Sequence, residues 1–217
     1  MLIDKNDVSV PVTVFFARTS VAPDRAFQVV APIDLTTVFK ADRFFPGISS
    51  VANQSDTWDH VGVSRNPRFD DGSTVEEQLT EYVEGHGFAY ELTGFTNALR
   101  NLAAGVRGEF SFLPDGEGTL IRWTYAFKPL PGRRLIIAGP FAPLWRRYMQ
   151  AGLNRMVAAT EATKLRARRE GRTCLVLADD IEAAFRPSRP TPWPRPATRT
   201  TQPSTYQAGA STDPPFE

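Results

Sequence analysis

Between Gly118 and Arg169 the apolar pattern changes from a repeat of two to a helical repeat, with a single turn between them. Ile121, Trp123, Tyr125 and Phe127 alternate with Arg122, Thr124, Ala126 and Lys128, the period of a strand buried on one face. After the Pro129-Leu-Pro-Gly132 turn, Phe141, Trp145, Tyr148, Met149, Gly152, Met156 and Thr160 fall on one helical stripe. Arg146, Arg147, Asn154, Arg155 and Glu161 fall mostly elsewhere. A half-buried strand feeding one long amphipathic helix calls for a curved sheet closed by that helix. Such an arrangement is a container, and it points to a pocket for an apolar molecule.

Composition narrows the classes. The chain's 217 residues suffice for one ordinary domain and some extra length, and 15 Phe with 4 Trp supply aromatic core to spare. A net charge of +1 provides no field for capturing nucleic acid, so none is expected as a partner. One cysteine, Cys174, excludes an internal disulfide framework and a cysteine-rich zinc site. The start lacks a basic segment followed by a long apolar one, and no apolar run approaches membrane-spanning length. A soluble cytoplasmic protein is the expectation.

Turn signals divide the chain. Val8–Arg18 reads as an extended lead-in with Val10, Val12, Val14 and Phe16 in alternation, and Arg25–Ala31 as a strand. Asp34 or a neighbour is expected to cap a short helix through Leu35, Val38 and Phe39. Three hairpins follow, turning at Asp70-Asp-Gly72, Glu84-Gly-His-Gly87 and Pro114-Asp-Gly-Glu-Gly118. Consecutive hairpins with helices only near the two ends give an α+β domain built on an antiparallel sheet. The expected boundaries are an N-terminal extension (1–24), the domain (25–170), a short apolar addition (171–185) and a disordered Pro-rich tail (186–217). That tail reads as a linker rather than as a polyproline ligand for a protein partner.

The loop lengths fix the faces. A three-residue turn at Asp70–Gly72 places Arg65 opposite Glu77 and Val63 opposite Leu79. The odd-numbered positions Val61, Val63, Phe69, Val75, Leu79 and Val83 form the apolar face, which Arg65 and Glu77 share. A four-residue loop at Glu84–Gly87 would set Val83 against Phe88 and Glu81 against Tyr90. Phe88, Tyr90 and Leu92 then join that face with Phe110, Phe112, Ile121, Trp123 and Tyr125.

These segments resemble START-like (SRPBCC) proteins. Ala31-Pro-Ile-Asp-Leu-Thr-Thr-Val-Phe39 is similar to their strand-end and first-helix motif. Asp71–Thr80 with Phe88–Leu92 is similar to their middle hairpins, and Gly118–Phe127 to their last strand before the closing helix. The branch most resembled is the polyketide cyclase/dehydrase and lipid-transport group, over roughly Arg25 to Arg169. The resemblance implies a helix-grip fold: a seven-stranded curved antiparallel sheet wrapped around a long C-terminal helix, with two short helices at one end. It also implies a hydrophobic cavity that different members use for binding, transport, cyclisation or hydrolysis.

The candidate site follows from the shared face. Arg65 could fix a ligand carboxylate or enolate, with Glu77 orienting it or acting as a base; as a plain structural feature the two form a cross-strand salt bridge. Tyr90, Trp123 and Tyr125 offer aromatic walls with polar tips, and Phe110, Met149, Leu153 and Met156 complete the proposed lining, or simply fill a core. Arg65, Glu77 and Tyr90 are the catalytic candidates. His60 and His86 have no ligand spacing, so no metal is expected, and nothing implies a cofactor. Arg166, Arg168, Arg169 and Arg172 read as cations at the negative end of the helix, with transient contact at an anionic membrane surface as the functional alternative. Three functions stay open: binding or transport of a small hydrophobic molecule such as a lipid or polyketide, a cyclase or dehydratase in the same cavity, and an interaction module recruiting through the tail.

Overall fold

The computed structural model describes Ile3 and residues 10–184, with side chains as far as Glu170. The chain divides into two compact units, Met1–Leu175 and Val176–Glu217, and the site lies in the first. Its strands are β1 (Val12–Thr19), β2 (Ile48–Ala52), β3 (Ser64–Phe69), β4 (Glu76–Val83), β5 (Gly87–Thr93), β6 (Ala103–Asp115) and β7 (Gly118–Pro129). They form one antiparallel sheet in the order β1-β7-β6-β5-β4-β3-β2. Helices α1 (Pro23–Val30) and α2 (Leu35–Val38) separate the two edge strands. A short turn of helix, α3 (Arg134–Ile136), and a segment kinked at Gly139 lead into α4 (Ala142–Ala184).

Local chemistry explains the elements that flank the cup. Pro23 opens α1 at a position where its missing N–H costs nothing, and Asp24 sits in the first turn. Ala26, Phe27 and Val30 bury one face of α1, with Phe27 meeting Tyr82 and Phe112 edge-on at 5.3 and 5.4 Å. The Asp34 side chain accepts from the Thr36 N–H and so starts α2. On α4, Trp145, Tyr148, Met149, Leu153, Met156 and Thr160 are buried. Each large apolar member of that stripe contributes roughly 1.5–3 kcal/mol relative to an exposed position.

Polar contacts hold the closing helix in place. Tyr148 Oη donates to the Pro46 carbonyl at 2.7 Å, and an Arg155 terminal nitrogen donates to the Val38 carbonyl at 2.9 Å. At the other end Glu161 accepts from Thr19 Oγ1 and Ser20 N at 2.6 Å and from Ser20 Oγ at 2.9 Å. The Thr19 hydroxyl, followed by the Ser20 groups, holds the Glu161 carboxyl below its ordinary 4.5. A lowered folded-state value means that this stabilisation is present above pH 4.5 and lost as pH falls through the lowered value. The gap in urea midpoint between the native chain and Glu161→Gln should therefore close on acidification below that point; a constant gap would refute the clamp.

Several sequence expectations are corrected by the fold. β1, read as part of an extension outside the domain, pairs with β7 from Val12 opposite Ala126 to Thr19 opposite Thr119. Its inward phase is Thr13, Phe15 and Thr19, not Val12, Val14 and Phe16, because both phases of this strand carry apolar residues. Arg25–Ala31 is not a strand but most of α1, and the resemblance at Ala31–Phe39 therefore falls on the end of α1 and on α2. Residues 171–184 continue α4 instead of making a separate addition. Arg166, Arg168, Arg169 and Arg172 thus lie mid-helix, where no terminal dipole accounts for them. Phe185 and the Pro-rich tail lie outside the described residues.

One irregularity matters for the site. Arg65 opposite Glu77 is the observed register, and Leu79 N–H donates to the Val63 carbonyl as expected. Beyond Leu79 a bulge at Thr80 shifts the strand by one residue. Tyr82 then faces Phe88, Leu79 faces Tyr90, and Glu81 falls beside Ala89. Val83, expected on the apolar face, is 60% exposed, and Val61 beyond the start of β3 is 58% exposed. The loop that follows is three residues long, with Val83 opposite Gly87.

Candidate functional site

The concave face of the sheet, α2 and the first turns of α4 enclose a cavity of about 400 Å³. Connections between elements border it: Phe44, Phe45 and Pro46 before β2, Asp71 in the β3–β4 turn, Phe95, Asn97, Ala98, Leu99 and Leu102 before β6, and Phe141 with Leu144 entering α4. Arg65, Glu77, Tyr90, Phe110, Trp123, Tyr125, Met149 and Met156 all line this space. Leu153 does not. It is fully buried in the core one helical turn along.

At the β3–β4 side lies a buried ion pair. Arg65 Nε donates to Glu77 Oε2 at 2.7 Å, with 7% and 5% of the two residues exposed. The Trp58 ring lies against the guanidinium, its centroid 3.7 Å from Cζ, and takes up one face of the cation. Neither terminal nitrogen of Arg65 has a hydrogen-bond partner among the described residues, and the second Glu77 oxygen is likewise uncommitted. Arg65 also borders a neighbouring cavity of about 410 Å³ lined by Gln28, Gln54, Thr57, Trp58, Tyr82 and Glu84. The guanidinium therefore stands in the partition between two spaces.

Next to it three aromatic side chains share hydrogen bonds. Trp123 Nε1 donates to Tyr90 Oη at 3.1 Å, and the Tyr90 and Tyr125 hydroxyls lie 2.9 Å apart. The register explains how two phenols on β5 and β7 can meet. Tyr90 pairs with Gly108, and Gly108 pairs with Tyr125. A Cβ on Gly108 would lie 2.3 Å from Tyr90 Cζ, so the bare backbone leaves the channel across which the ring reaches. Burial pushes both hydroxyls well above the ordinary tyrosine value of 10, so both keep their protons at neutral pH. Two protons serve one shared contact. The other has no acceptor among the described residues and is a donor for a guest.

Around this polar group the walls are aromatic. Trp123 stacks on Phe110 at 4.6 Å, and Trp145 meets Tyr125 and Phe127 edge-on at 5.4 and 5.5 Å. Trp58, Phe45, Trp145 and Tyr148 were not among the residues expected at the site. Trp145 and Tyr148 stand on the helical stripe that the sequence shows. Trp58 and Phe45 come from loops, where no periodicity marks which side chain turns inward.

Residues 10–161 match the family described as polyketide cyclase/dehydrase and lipid transport. The chain belongs to that family. Its fold, a curved antiparallel sheet with a long C-terminal helix, is shared by three solved structures. Ara h 8.0201 superposes with a TM-score of 0.53 at 14% identity, covering 70% of this chain and 99% of its own. Major latex-like protein 151 from Panax ginseng gives 0.53 at 12%, covering 69% and 96%. Mll3558 from Rhizobium loti gives 0.52 at 14%, covering 69% and 96%. At such identities the likeness is one of fold alone. No curated protein matches the sequence. Among the described residues no helix is long and apolar enough to cross a membrane.

Proposed function

We propose that this domain binds a small, mostly apolar molecule in the cavity between sheet and α4 and holds one polar group of it against Arg65, Glu77 and the Tyr90–Tyr125 pair. The observation that carries this reading is an aromatic cavity of about 400 Å³ whose few polar groups converge with unspent hydrogen-bonding capacity. Pockets of this size, apolar with a few placed polar groups, suit small organic ligands. The open space supports a binding reading over a domain whose interior is filled by its own side chains.

The test is direct. The purified protein should take up Nile red with one-to-one saturation and blue-shifted emission. Leu92→Trp, which fills the cavity from a half-buried position, should weaken uptake at least about ten-fold, about 1.4 kcal/mol, with an unchanged circular dichroism spectrum. Native mass spectrometry of the untreated protein should show a bound small molecule. Absence of both uptake and bound molecule would overturn the reading.

A second reading has one observation in its favour. The free Glu77 oxygen beside donors that can polarise a carbonyl is the arrangement a cyclase or dehydratase needs: donors for a developing enolate and a base for the neighbouring C–H. Release of water from a linear poly-β-keto thioester, abolished in Glu77→Gln, would support it; an unchanged substrate would not.

A further inference from the structure

We infer that the molecule held in this cavity is electrically neutral at its buried end and presents an uncharged acceptor oxygen there, such as a carbonyl, not a carboxylate. The inference rests on the cavity reading above and adds the chemical class of the guest.

The groups that await a partner at the polar end are two kinds of donor and one acceptor, the second Glu77 oxygen. Arg65 offers the N–H groups of both terminal nitrogens, and the tyrosine pair offers one phenolic proton. An acceptor oxygen satisfies them, so a purely hydrocarbon guest would leave buried donors unpaired, at a cost of about 1–3 kcal/mol each. That much is equally true of a ketone, an ester or a carboxylate.

Charge separates these possibilities. Among the described residues only three charged side chains line the cavity: Arg65, Glu77 and Asp71. Asp71 is exposed in the turn at the mouth, and hydrogen bonds from Ser73 keep its carboxyl below the ordinary aspartate range, so it stays negative. The buried pair is already neutral, because the Arg65 charge is matched by Glu77 at 2.7 Å. A carboxylate inserted beside it would leave the buried end at net minus one, facing Glu77 in the same wall and Asp71 in the exposed turn. An uncompensated buried charge costs several kcal/mol, whereas a carbonyl oxygen accepts the same N–H and O–H groups without bringing one. The phenols fit this assignment, since each is a neutral donor.

Three probes of one shape test the inference: 6-methoxy-2-acetonaphthone, 6-methoxy-2-naphthoate and 2-ethyl-6-methoxynaphthalene, titrated by fluorescence at neutral pH. The ketone should bind at least about ten-fold tighter than the naphthoate and about five-fold tighter than the ethyl compound. Glu77→Gln removes one buried negative charge while keeping the shape, and should raise naphthoate affinity about ten-fold relative to the ethyl compound. Naphthoate binding as tightly as the ketone to the native protein would overturn the inference. So would equal binding of all three, which would leave the cavity reading intact. Binding of none of the three would overturn the inference, while the cavity reading is decided by the Nile red and mass-spectrometric measurements above. The comparison on the native protein decides the matter even where the variant fails to fold.

Discussion

Arg65→Met should cost about 3–5 kcal/mol of stability, the largest loss expected from any single change at the site, because it leaves the Glu77 carboxylate buried without its cation. The pair sits across β3 and β4 with 7% and 5% exposure, so water entering from the adjoining cavity replaces the lost guanidinium only in part. The Trp58 ring loses its cation at the same time. Replacing both partners, Arg65→Met with Glu77→Leu, should recover most of the loss, since a buried ion pair exchanged for apolar groups of similar volume is often neutral or stabilising by about 1–4 kcal/mol. Urea unfolding of the native chain, the two single variants and the double variant would measure the coupling. A single-variant loss below about 1 kcal/mol would mean that the pair behaves as a surface ion pair and that its burial is not as described. Ligand uptake should fall in the double variant although its stability returns, which separates the role of the pair in binding from its role in folding.

Gly108→Ala should also destabilise, against the usual sign. An alanine placed where the backbone tolerates it stabilises by about 0.4–1 kcal/mol through the unfolded chain, and Gly108 is not at a positive φ. Here the added carbon lies 2.3 Å from Tyr90 Cζ and 2.6 Å from its hydroxyl, and the ring is packed against Phe88 and Tyr125. Overpacking strain of about 1–3 kcal/mol follows. If the ring moves aside, the Trp123 N–H loses its acceptor at about 1–3 kcal/mol. Thermal unfolding should show the loss, and Tyr90→Val in the same chain should cancel most of the effect of the added methyl. A Gly108→Ala chain as stable as the native one would show that the Tyr90 ring does not cross β6 at this point.

The ion pair was legible in the sequence because one turn sets it. Asp70-Asp-Gly72 has Gly72 at φ +81°, a conformation glycine adopts freely, and counting back from a three-residue loop there gives Arg65 opposite Glu77, the register observed. The inward residues Phe88, Tyr90, Phe110, Phe112, Ile121, Trp123 and Tyr125 were legible for a similar reason, since large apolar residues fall at every second position there. The same counting failed one strand later. The bulge at Thr80 carries no residue signature, yet it turns Val83 out and carries Glu81 away from Tyr90. α1 was hidden by length: eight residues with Ala26, Phe27, Val29 and Val30 fit a short strand as well as two helical turns, and only Pro23 with Asp24 argues for the helix. Trp58 and Phe45 could not be found by any period, because loops place them.

The neighbour of β1 in the sheet is β7, with Val12 opposite Ala126, while β2 closes the far edge. During synthesis the first strand must therefore wait, its hydrogen-bonding groups unspent, until nearly the whole domain has been made. Assembly dominated by such distant pairings is slow, on the order of milliseconds to seconds, and leaves strand borders open to other chains meanwhile. The ribosome cannot hand over a finished barrel wall in instalments: the domain closes late, when its beginning meets its end.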